Sequence, residues 1–273
     1  MATLEDPENI EIQWEAAFEE RDEDQLWNLL QQSSAQTATL AEALDSSDTT
    51  AGFLVACQYG HVELLRALLT LTGDLAVDVH TASWSGSEAA FRGACRNGHT
   101  DIVRELLALT GVRAVDVHAT SWDGPEAAFR EACGNGHLDT MRELLALSGA
   151  RAVDVHAADG GGPEAAFRDA CQNGHTEIVR DLLALTGARA VNVHAADDGG
   201  PEAAFRVACC NGSTDVVREL LGLTGDRAIP LHTWRHKGKV IVQAGRDAGW
   251  AGTSTRHGRR TMLLLRTRGA GRA

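Results

Sequence analysis

Cysteine and histidine recur through this chain at spacings that invite a metal or a thiol chemistry. Cys57, Cys95, Cys133, Cys171 and Cys209 stand 38 residues apart. His61, His99, His137 and His175 follow the first four by four residues, a Cys-x3-His pattern in four copies. A second column, His80, His118, His156, His194 and His232, keeps the same step. Zinc needs ligands converging to about 2.0–2.3 Å. Equivalent residues of stacked units lie ~10 Å apart, the separation of packed helices, so members of one column cannot share an ion. No metal and no cofactor is expected. The column cysteines read as small buried hydrophobes. Cys210 leaves the column, should face outward, and is the thiol expected to react.

Other catalytic groupings are weaker. Carboxylates are numerous, but no pair stands out from the repeat, and no serine, histidine and aspartate cluster interrupts it. Gly160-Gly161-Gly162 lacks the lysine and the strand context of a phosphate loop. Two arginine columns, Arg92, Arg130, Arg168, Arg206 and Arg104, Arg142, Arg180, Arg218, have acids nearby and read as a solvated helical face with weak i, i+3 pairs. No enzyme is expected.

The elements that position these residues follow from the repeat. Phe53, Phe91, Phe129, Phe167 and Phe205 share the 38-residue step, as do two columns of glycine. In the copy at 125–162, Phe129, Ala132 and Cys133 fall at i, i+3 and i+4 on a first helix. Pro125 is expected at its first position, with Glu126 complementing the dipole. Asn135-Gly136 breaks that helix. Met141, Leu144, Leu145 and Leu147 form the apolar side of a second helix, which ends at Ser148-Gly149. Val153-Asp154-Val155-His156 alternates as a short extended arm and leads into a turn. Neither helix exceeds about three turns, so neither is stable alone in water. Stacking buries the stripes and shares stability along a one-dimensional array.

The stretch Asn97-Gly98-His99-Thr100-Asp101-Ile102-Val103-Arg104-Glu105-Leu106-Leu107 resembles the inter-helix turn and second helix of an ankyrin repeat, and Ala114-Val115-Asp116-Val117-His118-Ala119 resembles the family's Gly-Ala-Asp-Val-Asn-Ala segment. The resemblance spans residues 49–234 in five copies. It implies an all-α, ankyrin-type helical repeat solenoid with short β-turn fingers, and protein recognition as its function. The repeat exceeds the family's usual length of about 33 residues. The extra residues fall mainly within 109–115, with one in the finger. Ala-Ala-Phe-Arg replaces Thr-Pro-Leu-His, so the family's threonine–histidine brace is absent. Pro125 is expected to compensate, with Arg130 reaching a neighbouring carbonyl.

Charge divides the chain further. Residues 1–50 carry thirteen acids and one base, whereas residues 235–273 carry ten bases and one acid. Residues 1–48 read as an acidic, degenerate N-terminal cap. Trp14-Glu15-Ala16-Ala17-Phe18 and Leu26-Trp27-Asn28-Leu29-Leu30 form its helix pair, a further helix follows at 37–44, and Ser46-Ser47-Asp48 is a linker. Residues 235–273 read as a basic tail without a helical stripe, expected to be disordered. An acidic body is a poor surface for nucleic acid. No apolar run approaches the length of a membrane span, and the acidic start does not suit a signal peptide, so an intracellular, monomeric protein is expected.

The finger tip departs from the repeat. Its slot holds Ser83-Trp84-Ser85, Ser121-Trp122-Asp123, Asp159-Gly160-Gly161 and Asp197-Asp198-Gly199 in successive copies. Trp84 and Trp122 are expected anchors for a protein partner, with Asp123, Asp159, Asp197 and Asp198 supplying negative field for a basic patch. The equal-weight alternative folds both tryptophans back onto adjacent fingers. First-helix positions Arg96, Glu131, Asp169 and Gln172 complete the expected concave binding face. The alternative function is a tail that binds RNA or anionic membrane through its arginines, with the repeats as scaffold.

Overall fold

The computed structural model describes residues 12–14, 16, 17, 25, 29, 46–83, 86–122 and 124–230, and the backbone of strands 234–236, 239–242, 250–256 and 259–265. Ten helices run through the repeats: α1 (Ser46–Tyr59), α2 (Val62–Thr70), α3 (Ala89–Asn97), α4 (Thr100–Leu107), α5 (Ala127–Asn135), α6 (Leu138–Leu145), α7 (Ala165–Asn173), α8 (Thr176–Leu183), α9 (Ala203–Asn211) and α10 (Thr214–Leu221). Each odd-numbered helix is the first of its copy and each even-numbered one the second. The contacts divide the chain into two compact units, residues 1–132 with 139–153, and residues 133–138 with 154–273.

Within the first unit α1 packs on α2 and α3 on α4, while α1 meets α3 and α2 meets α4 across copies. The second unit repeats this arrangement with α7, α8, α9 and α10. The spacing of apolar residues explains it. Phe91, Ala94 and Cys95 on α3 and Ile102, Val103 and Leu106 on α4 are fully buried, as are their counterparts along the chain. Gly98, at φ 75°, ends α3 in the left-handed region and lets His99 donate its backbone N–H to Ala94.

The extra residues of the long repeat build a 3-10 turn after each second helix, such as Gly111–Arg113 and Gly149–Arg151. Its arginine reaches back one copy. Arg113 donates to the carbonyl of Leu69 at 3.0 Å, Arg151 to Leu107 at 2.9 Å and Arg227 to Leu183 at 2.8 Å. These carbonyls lie in the last turn of the preceding second helix, where no intrahelical donor remains. The insertion is therefore a helix cap supplied in trans by the next repeat.

Two corrections concern helix starts. The first turn of α1 occupies Ser46, Ser47 and Asp48, which were expected as a linker. Helix α5 begins at Ala127, not at Pro125, and Glu126 adopts φ 52° before it. In the N-terminal segment the described residues are helical, with Trp14, Ala17 and Leu29 buried. A Cβ at Gly52 would stand 2.9 Å from the Trp14 ring, so α1 carries glycine where that indole lies against it. Residues 37–44 lie outside the described set. In the tail, β1 (Trp234–His236) pairs antiparallel with β2 (Lys239–Val242), and β3 (Trp250–Arg256) with β4 (Arg259–Leu265).

Candidate protein-binding face

Each finger is a tight turn closed by two reciprocal backbone hydrogen bonds. Ser121 N–H donates to Gly124 at 2.9 Å and Gly124 N–H returns to Ser121 at 3.1 Å; Ser83 with Gly86, Asp159 with Gly162 and Asp197 with Gly200 do the same. Glycine closes the turn because its φ is 112–128° in all four. At Gly86 there is a second reason: a Cβ would stand 2.4 Å from the Thr120 carbonyl of the next finger, with which it forms a bridge through Ser121.

Beneath the fingers lie the first-helix arginines. Arg92, Arg130 and Arg168 are buried, which corrects the expectation of a solvated column. Arg168 binds the Asp159 carboxylate and donates to the carbonyls of Gly162 and Pro163. Arg206 treats Asp197, Gly200 and Pro201 alike. Arg130 donates to Ser121 Oγ at 3.2 Å. Arg168 and Arg206 thus reach finger carbonyls and neutralise Asp159 and Asp197, whereas Arg130, expected to reach a carbonyl, is seen on a serine hydroxyl.

The arm histidines replace the missing family brace. His118 sets Nδ1 2.6 Å from the Glu126 carboxylate and Nε2 2.9 Å from the Ala150 carbonyl in the next copy's 3-10 turn. His80 does this with Glu88 and Val112, and His156 with Glu164 and Ala188. Carboxylate and carbonyl only accept, so both ring nitrogens are satisfied when the ring is protonated, and the arrangement favours the imidazolium. The hydrogen bond to glutamate is the main cause raising the pKa of His80, His118 and His156. Glu88 and Glu164 also accept the backbone N–H of Asp116 and Asn192 from the following arm. Sequence reasoning missed this pair, although the eight-residue spacing of the two columns carries it.

The other histidine column fixes register at the base of the helices. His99 Nε2 and Asn97 Nδ2 both donate to the Gln58 carbonyl at 2.9 Å. His175 and Asn173 do so to Gly134, while Ser213 and Asn211 do so to Gln172. On the second helices, Arg66, Arg104 and Arg180 bind Glu105, Glu143 and Glu219 of the following copy besides their i, i+3 acids.

The residues expected to meet a partner are distributed as follows. Trp122 is 76% exposed on its finger. Trp84 and Asp123 lie outside the described residues. Arg96 on α3 binds Glu131 on α5 at 2.7 Å. In the second unit Asp198 and Gln172 are exposed and Asp169 is half-buried, while Asp159 and Asp197 are held by their arginines.

Among the described residues no group of histidine, cysteine and acid could hold a metal ion, and no helix is long and apolar enough to cross a membrane. Burial raises the pKa of Cys57, Cys95, Cys133 and Cys171 well above the usual thiol range and that of Cys209 up to about 12. Cys210 is half-exposed. Iodoacetamide on the native chain should therefore alkylate Cys210 at least tenfold faster than any column cysteine, read by peptide mass spectrometry. Comparable rates would show that the columns open readily.

Helix pairs joined by a tight turn, extended arms and fingers in register recur along the chain. The family model for ankyrin repeats in three copies matches residues 53–159, 91–191 and 129–229. Comparison with curated proteins finds no match. Those overlapping matches span more than half of the 273 residues, and the helical architecture agrees with them: the chain belongs to the ankyrin-repeat family, whose members are all-α solenoids that generally serve as protein-interaction modules and are typically non-catalytic.

Proposed function

We propose that this chain is a non-catalytic module that binds a partner protein through its fingers and first helices. The observation that carries the reading is Trp122. It is a large indole, 76% exposed, on a turn closed by its own backbone bonds, bridged to the preceding finger and tied to Arg130. A rigid aromatic held in water loses little entropy on binding, and tryptophan leads among interface hot spots. Arg96 and Glu131, paired across α3 and α5, belong to the same proposed surface, and Trp84 and Asp123 are assigned to it from the sequence alone. Asp198, Asp169 and Gln172 are the corresponding groups of the second unit. In the first unit Trp122 suits a partner's apolar pocket. In the second unit Asp159 and Asp197 are already paired, and the exposed Asp198 suits a basic group.

Affinity capture with the full chain tests this reading, beside Trp122→Ala and Trp84→Ala/Trp122→Ala. A retained protein should bind the single variant at least ~30-fold more weakly, the loss expected of a hot-spot residue. The unfolding midpoint should stay unchanged, because Trp122 is not part of the core. Equal retention by wild type and both variants would remove the fingers from the interface. Retention lost only on deleting residues 235–273 would transfer the function to the tail.

A further inference from the structure

Fingers 1 and 2 differ from fingers 3 and 4 at one slot that bears on charge. The turn opens with Asp159 in finger 3 and Asp197 in finger 4. Ser83 and Ser121 occupy the same slot in fingers 1 and 2, at the same 38-residue step. The arginine nine residues on follows each of the four fingers. In finger 3 the carboxylate of Asp159 and the guanidinium of Arg168 are each only 8% exposed and bound to one another. In finger 2 the same arginine nitrogen, Nη2 of Arg130, donates to the Ser121 hydroxyl at 3.2 Å. In finger 1 Arg92 brings Nη1 within 3.0 Å of a Cβ built on Gly86. The equivalent Arg168 nitrogen donates to Gly162. In finger 2 the guanidinium thus lies beside the slot as it does in finger 3, and in finger 1 it lies against the closing glycine of the same turn. Finger 1, Ser83-Trp84-Ser85-Gly86, contains no carboxylate.

We propose that Ser83 and Ser121 are phosphorylation sites, where a phosphate takes the place that the aspartate carboxylate holds in fingers 3 and 4. The serine Oγ attacks the γ-phosphorus of ATP on a protein kinase. An Oγ–P bond forms as the P–O bond to ADP breaks, and the hydroxyl proton passes to the kinase's base. Both serines are half-exposed on projecting turns. A phosphoserine there carries a charge of about −1.5 to −2 and three acceptor oxygens, which suit a guanidinium already positioned by its helix. Desolvation holds the Arg92 pKa below the ordinary arginine range, so an anion delivered beside it is favoured. Ser83 is the stronger site, since finger 2 already carries the Asp123 carboxylate two residues from Ser121.

The test is the full chain with phosphoserine incorporated at 83 during translation. In a 31P NMR titration the second phosphate pKa should fall below the value of about 6 found in free phosphoserine. The thermal midpoint should exceed that of the unmodified chain. Arg92→Gln should abolish both effects and Arg92→Lys should keep part of them, with far-UV circular dichroism confirming that each variant folds. Ser83→Asp should raise the midpoint of the otherwise unaltered chain, whereas Ser83→Asn should not. Mass-spectrometric mapping of the chain from its own cells should find phosphate at Ser83 or Ser121. A phosphate titrating near 6 with an unraised midpoint would overturn the proposal. So would native chain whose Ser83 and Ser121 peptides are recovered without modification.

Discussion

Replacing His118 by alanine should lower stability by about 2–3 kcal/mol at pH 6 and by much less at pH 9, measured by urea denaturation. The imidazolium joins the Glu126 carboxylate to the carbonyl of Ala150, so one ring holds the base of a finger to the next copy's 3-10 turn. The glutamate side chain is only 6% exposed, and removing its cation leaves a buried charge uncompensated. Losing one partner of a fully buried pair costs ~3–5 kcal/mol. His118 is 39% exposed, so solvent screening places the expected loss below that range.

The pH dependence separates charge from packing. Hydrogen bonding to glutamate raises the folded-state pKa of His118, with Asp116 adding to it. A raised folded pKa stabilises fully below the unfolded value of ~6.5, and that contribution is lost as pH rises through the folded value. The wild-type chain should therefore weaken from pH 6 toward pH 9, because His80 and His156 carry the same pair. His118→Ala/Glu126→Gln should recover part of the single-variant loss, since no buried charge is stranded. A pH-independent deficit in His118→Ala would mean that the ring acts through volume alone.

Identical residues in columns of equal step made the helices, the breaks between them and the buried cysteines legible before any coordinates. A column is a statement about three dimensions: what buries Phe91 buries Phe129. The His118–Glu126 pair escaped because the two residues share no single helix or strand; the chain reverses between them at the finger. Glu126 read locally as an acid for a helix dipole. Its left-handed backbone, which costs about 1–3 kcal/mol at a non-glycine residue, is sustained by a bond that local rules cannot see. The burial of Arg130 was hidden for a related reason. Arginine on a helix is normally solvated, and only a finger folded over that helix covers it. The binding surface was the least legible part, since Asp159 and Asp197 looked available until their arginines were placed beneath them.

Phe91→Ala should destabilise the chain by about 3–5 kcal/mol, the cost of a large cavity in a core that cannot collapse around it. Phe91 is fully buried on α3, which packs both on α4 of its own copy and on α1 of the preceding one. Neither α3 nor α4 is long enough to persist alone, so the loss should not stay local. Hydrogen exchange should show protection falling in α1, α3 and α4 together, with Phe91→Leu causing a smaller loss in the same three helices. Loss confined to α3 would mean that each helix carries its own stability and that the contacts between copies contribute little. Loss shared with α1 would place the stability in those contacts, where the arginine caps, the histidine–glutamate pairs and the arginine–glutamate pairs of the second helices all act across the boundary between one copy and the next.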